Sequence, residues 1–461
     1  MSGSGVLLLL GFVAFAGLMA ARLLPTLLAL PLMAAFIAWV AGLSFTAYLE
    51  CVLLGGAMKL SGAVVVVIFG AMFAEVVKKT GISGAIVKQA AELAGDRPLS
   101  IAVLMAAATA FLFLGMSGLG AVLMAGSIAL PILTGAGIAP LRAVTLMLLS
   151  IMTGLMANTA NYGTYIGIFG GEVVTGFYLP AILIAALVTA VYILRNICRP
   201  GDVGSLAGII PALLRGLLSV PGSFFRALGR LFRRRDEGLL RKKRALPAAA
   251  LIAPVLPLVF IFGAKAVYGF GPAAKGMIDP VAAAALGFVI AALYAAILTR
   301  PGQAVNLFTG AFVDGIKDVA GVIFLFMGIG MLLAAAMTPS AAAILDPLLA
   351  ALLPSGKLGV LCFFLLFAPA ALYRGPLNMF GMGAGIAALL SGLGTIPPEP
   401  LCGLFLAVSY VQGISDPTNS HNTWLAGFAG VEPSALLRET LPYSWLMCLL
   451  MLLYVMTVWG A

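Results

Sequence analysis

Titratable chemistry is scarce in this chain. A single histidine, His421, and charged side chains at only 9% of 461 positions leave too little for a nucleophile–base pair or a metal triad, so no enzyme and no resident metal or cofactor is expected. The five cysteines (Cys51, Cys198, Cys362, Cys402, Cys448) fall at no metal-ligand or redox spacing and are assigned to packing. Polar surface is also lacking. At 62% hydrophobic, with a mean hydropathy of +1.15, the chain has too few polar groups to cover a water-soluble domain. The first apolar run has neither a basic flank nor a cleavage site, so it is expected to stay as a helix.

What the chain does hold is apolar runs near the roughly 20 residues a bilayer crossing needs. In the first half these lie at 5–22, 24–43, 60–77, 139–165 and 175–194. Between them come a mixed helix, Thr80 to Asp96, suited to the membrane interface, and two arms too short for comfortable crossing, Pro98–Leu114 and Ala121–Thr134. The arms flank Gly115-Met-Ser-Gly-Leu-Gly120 and predict a re-entrant hairpin. The second half repeats the order: crossings at 247–268, 280–299, 318–337 and 435–459, a short helix at 340–353, a hairpin at 357–395 around Tyr373-Arg-Gly-Pro-Leu-Asn378, and a broken crossing at 399–424. One offset of 258 pairs Thr80 with Thr338, Pro140 with Pro398, Asn158 with Asp416 and Asn161 with Asn419. The fold expected is therefore all-α and polytopic, two repeats of five transmembrane helices, each with a re-entrant hairpin and a broken helix. Residues 1–196 form the first repeat (hairpin 98–134, broken helix 139–165), 197–246 a linker, and 247–461 the second repeat.

Five crossings per half is an odd number, so the halves are inverted. Twelve of the 26 Lys and Arg lie between Arg195 and Arg244. Such a run can bind nucleic acid, but on a membrane protein it reads as a cytoplasmic loop on the anionic leaflet, and no nucleic-acid partner is expected. With that linker inside, both termini fall outside, 21 basic residues lie inside and only Lys59, Lys265, Lys275 and Lys357 outside. Arg374 belongs to neither side.

Helix breaks and hairpin tips at matched positions of inverted repeats point to a midplane binding site, because unwound carbonyls hold cations and half-helix N-termini face anions. Tyr410–Trp424 is the most polar such stretch, with Pro417 and Asp416 in an otherwise apolar segment. Ser117, Gly118, Asn161, Arg374, Asn378, Thr418 and Asn419 are the candidate substrate contacts; Asn158, Thr159, Ser415 and Asp416 are the candidates for a coupling ion, Na⁺ or H⁺. The Arg374 guanidinium suits a carboxylate clamp, and an ion pair with Asp416 is the competing reading. Asp416 can bind Na⁺, carry a proton, or cap the half-helix after it. The glycines at Gly115, Gly118 and Gly120 permit a tight tip but lack the Lys-Ser/Thr ending and preceding strand of a phosphate loop.

Paired hairpins followed by broken helices in inverted five-helix repeats resemble the ion-transporter superfamily. Ser420-His-Asn-Thr-Trp-Leu-Ala-Gly-Phe-Ala-Gly-Val-Glu432, with Leu441-Pro-Tyr-Ser-Trp445, is most similar to the bacterial citrate–metal/proton symporters. The resemblance implies a homodimer in the inner membrane in which hairpins and broken helices move against a scaffold in an elevator-like step. The expected activity is cation-coupled symport of a small organic anion, a carboxylate such as a di- or tricarboxylate. The alternative is a Na⁺/H⁺ antiporter of the same superfamily.

Overall fold

The computed structural model describes residues 3–20, 23–198, 246–268, 280–352, 354, 356–394 and 396–460; most of the basic linker, including the amphipathic stretch expected near 204–232, lies outside them. Every regular element among the described residues is helical. The first half runs α1 (Gly3–Ala20), α2 (Thr26–Val40), α3 (Phe45–Thr80), α4 (Ile82–Ala94), α5 (Pro98–Phe113), α6 (Leu119–Gly135), α7 (Pro140–Leu155), α8 (Gly163–Phe169) and α9 (Gly171–Asn196). A 3-10 stretch, Ala248–Val255, leads into α10 (Leu256–Tyr268), and then come α11 (Pro280–Thr299), α12 (Ala304–Ala336), α13 (Pro339–Leu352), α14 (Lys357–Phe367), α15 (Met382–Gly392), α16 (Pro398–Ser415), α17 (Ser420–Phe428) and α18 (Pro433–Gly460).

Six of these helices begin on proline, at Pro98, Pro140, Pro280, Pro339, Pro398 and Pro433. The first turn of a helix leaves its N–H groups without partners, so a residue that has none starts it at no loss. Gly81, at φ 79°, turns the chain from α3 into α4 in a conformation that a side chain would strain. Five helices are long and apolar enough to cross a membrane, Phe45–Thr80, Gly171–Asn196, Val281–Thr299, Pro301–Ala336 and Pro433–Trp459, and shorter apolar helices fill the space between them. The chain is a multi-pass, all-α membrane protein.

Two boundaries differ from expectation. The crossing expected near 60–77 is present as Ser61–Thr80, but α3 extends it back, through a turn at Lys59 and Leu60, to Phe45, because Ser44 caps the start by accepting the Ala47 N–H at 3.2 Å and a π turn, Tyr48–Leu54, carries the chain on. Glu50 and Lys59 interrupt the apolar run there and hide the helix from a hydropathy reading. Helix α12 starts at Ala304 instead of 318 and has 33 residues, about 50 Å at 1.5 Å per residue, against a hydrocarbon core of about 30 Å. Its first turns carry Asp314, Lys317 and Asp318.

Helices α3 and α12 form an antiparallel pair drawn together by glycine. A Cβ on Gly56 would lie 2.6 Å from Met331 Cα, and one on Gly315 would lie 2.7 Å from the Met72 nitrogen. Small residues let the backbones touch, which is the main source of helix attraction where lipid is the solvent. On one side of this pair α3 packs on the gap between α7 and α8: a Cβ on Gly70 would meet Ala160 Cβ at 2.4 Å. On the far side α7 crosses α16, Gly413 facing Met152 Sδ with room for no Cβ (2.8 Å). The two interrupted helices therefore lie against each other near their interruptions.

Candidate functional site

Four irregular stretches converge there. Residues 114–118 turn between α5 and α6, 156–162 separate α7 from α8, 375–381 lead from a 3-10 turn into α15, and 416–419 separate α16 from α17. Backbone groups in such stretches have no helical partner, and side chains must satisfy them in a site away from water.

Asn158 does this for the first half. Its fully buried amide donates to Phe113 O (2.9 Å), at the end of α5, and to Met116 O (2.8 Å) in the turn after it, while its Oδ1 accepts the N–H groups of Ala160 (2.9 Å) and Asn161 (3.2 Å). Both N–H donors and the oxygen are thus engaged, and one residue fastens the first hairpin to the first break. In the second half the matching position is Asp416, which has no N–H to give. Its Oδ1 still accepts from the residue two further on, Thr418 N at 2.9 Å and Thr418 Oγ1 at 2.7 Å. The carbonyl that corresponds to Phe113 O is Ala371 O. It is reached instead by Asn378 Nδ2 at 2.9 Å, which also lies 3.5 Å from Asp416 Oδ2. Asn378 stands where the first half has Gly120, so the loss of the amide at 416 and the gain of one at 378 compensate. A further tie comes from Gln412, whose Oε1 accepts the Met379 N–H at 2.7 Å.

Asn161 and Asn419 are also equivalent in contact: their amides donate to Leu155 O and Gly413 O, each at 3.4 Å, six residues back. Asn419 additionally caps α17 by accepting the His421 N–H. Ser415 faces the other way, its hydroxyl 2.7 Å from that of Ser444 on α18. Ser117 and Gly118 lie at the first turn, half-buried and exposed, with Gly118 at φ 87°. The backbone of Arg374 closes the second hairpin's 3-10 turn. Its side chain lies outside the described residues, and with it the choice between a substrate clamp and a partner for Asp416. Just before it, Tyr373 takes φ 56°, the one non-glycine residue with positive φ among those described, a conformation that costs about 1–3 kcal/mol and gathers at ligand sites.

Two buried oxygens at the breaks have no hydrogen bond. One is Thr159 Oγ1, which lies close to the Tyr178 hydroxyl, and the other is Asn422 Oδ1, whose amide nitrogen is occupied by Ile414 O and Asp416 O at 2.9 Å each. A buried oxygen without a donor is unfavourable by about 1–3 kcal/mol unless something else fills the place. Sequence reading missed Gln412 as part of the site, and placed Asn422 in the polar stretch 410–424 without naming it as a contact. Asn422 was visible as a polar residue four after Thr418, but its spacing alone could not show that its oxygen is left over. No group of three or more His, Cys, Asp or Glu positioned to hold a metal occurs among the described residues.

No family model matches the chain, and no curated protein matches it. Among solved structures, the YdaH transporter of Alcanivorax borkumensis is similar in fold, with a TM-score of 0.57 and 16% identity over 90% of this chain and 89% of that one. Likeness at that identity speaks for the shared fold, here over nearly the full length of both chains.

Proposed function

We propose that the chain is a secondary active transporter, a cation-coupled symporter that carries a small organic anion, a carboxylate such as a di- or tricarboxylate, by an elevator-like step. The observation that carries this reading is the pairing of two hairpin turns with two helix breaks through Asn158 in one half and Asp416 with Asn378 in the other, at positions related by an offset of 258. Inverted repeats with interruptions at matching depth make one binding place reachable from either face. The N-terminal end of α6, with Ser117, Gly118, Thr418 and the Arg374 guanidinium, supplies the anion's partners. The coupling ion takes oxygens: Thr159, Asp416, Asn422 and nearby carbonyls. Ser415 and the Asn158 side chain hold the frame, since their polar atoms are already bonded. The protein works as a homodimer in the inner membrane, with its basic linker in the cytoplasm and both termini outside. The fold of the YdaH transporter supports carriage of a solute in general; the resemblance of 420–445 supports the ion-transporter branch with its citrate–metal/proton members.

Uptake of labelled carboxylates into proteoliposomes, under separately imposed Na⁺ and pH gradients, tests this. Concentrative uptake driven by one gradient is expected. A proton flux evoked by a Na⁺ step with no organic solute present would overturn symport in favour of the antiporter.

A further inference from the structure

The two hairpins are not seated alike. In the second half α15 lies along α12: a Cβ on Gly385 would be 2.7 Å from Leu332 Cδ2, and one on Gly392 would be 3.0 Å from Met337 Cγ. The counterparts of Gly385 and Leu332 in the first half are Ser127 and Ala74. They do not meet. Helix α6 lies instead past the end of α3 and beside α4, where Ile128 Cδ1 is 3.7 Å from the place of a Cβ on Gly84 and Ser83 Oγ is 2.6 Å from Met124 Sδ.

Where α6 begins, it meets charge. A Cβ on Gly120 would stand 3.4 Å from Lys78 Nζ and 4.0 Å from Asp318 Oδ2. Lys78 is paired on its own helix with the buried Glu75 at 2.6 Å and feels the charge of Asp318; beside them Lys79 reaches from α3 to Asp314 on α12 at 2.5 Å, and Lys317 lies 3.3 Å from the same Asp314. Helix α6 has no charged side chain in its first or last turn. It offers the N–H groups of Leu119, Gly120 and Ala121, which precede the first bond of the helix, Val122 N to Gly118 O. They form the positive end of a 17-residue helix, and a carboxylate is the group such an end attracts. Glycine at 120 leaves the space through which Lys78 and Asp318 approach.

We propose that Lys78 and Asp318, braced by Glu75, Lys79, Asp314 and Lys317, are an ionic catch that holds the first hairpin in this seat. On release, α6 moves alongside α3 into the seat that α15 has on α12, and Ser127 comes to Ala74. The proposal rests on the carrier reading above, but its test uses no substrate. Two cysteine pairs are introduced into a background in which the exposed Cys51 and Cys362 are serine. Gly385→Cys with Leu332→Cys reports the seat seen in the second half; Ser127→Cys with Ala74→Cys reports the alternative for the first. In membranes the former is expected to cross-link readily and the latter weakly. Asp318→Asn is expected to raise the 127–74 yield several-fold, and Gly120→Leu, which fills the space through which Lys78 and Asp318 approach, to do the same should the first variant fold poorly. Lys78 is left in place, because its removal would strand the buried Glu75. A 127–74 yield that neither substitution changes, in protein whose 385–332 pair still cross-links, overturns the catch. Cross-linking that responds as expected in a protein that moves no carboxylate would leave the catch standing and sink the carrier reading instead.

Discussion

Asn158 and Asp416 occupy one position in two halves and do different work, because an amide donates and a carboxylate cannot. Asn158→Ala removes both donors from Phe113 O and Met116 O in a place water does not reach, and a loss of about 2 kcal/mol or more is expected as a lowered Tm in detergent. Asp416→Asn is the opposite case. The new amide can keep its oxygen on Thr418 and give an N–H to Ala371 O, as Asn158 does to Phe113 O, so the fold is expected to hold. If the carboxylate carries the coupling ion, this variant loses concentrative uptake while counterflow of labelled substrate persists. A variant that still concentrates substrate would remove Asp416 from the coupling role.

At the scale of the element, the glycines of α12 separate packing from propensity. Gly315 has the α3 backbone against it, whereas nothing lies within 4 Å of a Cβ on Gly321 in the same helix. Gly321→Ala gains helix propensity, up to about 1 kcal/mol, and is expected to leave Tm unchanged or raised. Gly315→Ala must push α3 from α12 and is expected to lower it; thermal unfolding of the two variants side by side decides the point. Helix starts were legible in the sequence, since proline marks six of them. The early starts of α3 and α12 were not, because a π turn and a charged entry segment break the apolar run while the chain stays helical, save for the turn at Lys59 and Leu60.

For the whole molecule, the orientation proposed from the charge bias is one that labelling can check. In a chain whose exposed cysteines are replaced, Lys357→Cys is expected to react with an impermeant maleimide from outside intact cells, and Lys88→Cys only after permeabilisation; both side chains are exposed. The reverse pattern would invert the proposed topology.

Hydropathy, proline placement and the internal offset made the helix order and both hairpins readable from the sequence, because these follow from local rules: the bilayer sets length, and a missing N–H sets a boundary. The polar residues of the breaks could be named the same way. Which of them are spent on one another could not. That Asn158 is saturated, that Ser415 bonds Ser444, and that Asn422 has an oxygen to spare depend on contacts between segments far apart in the chain. The unequal seating of the two hairpins is beyond any repeat-based reading, since matched sequences predict matched places; only packing against α3, α4 and α12 decided where each one lies.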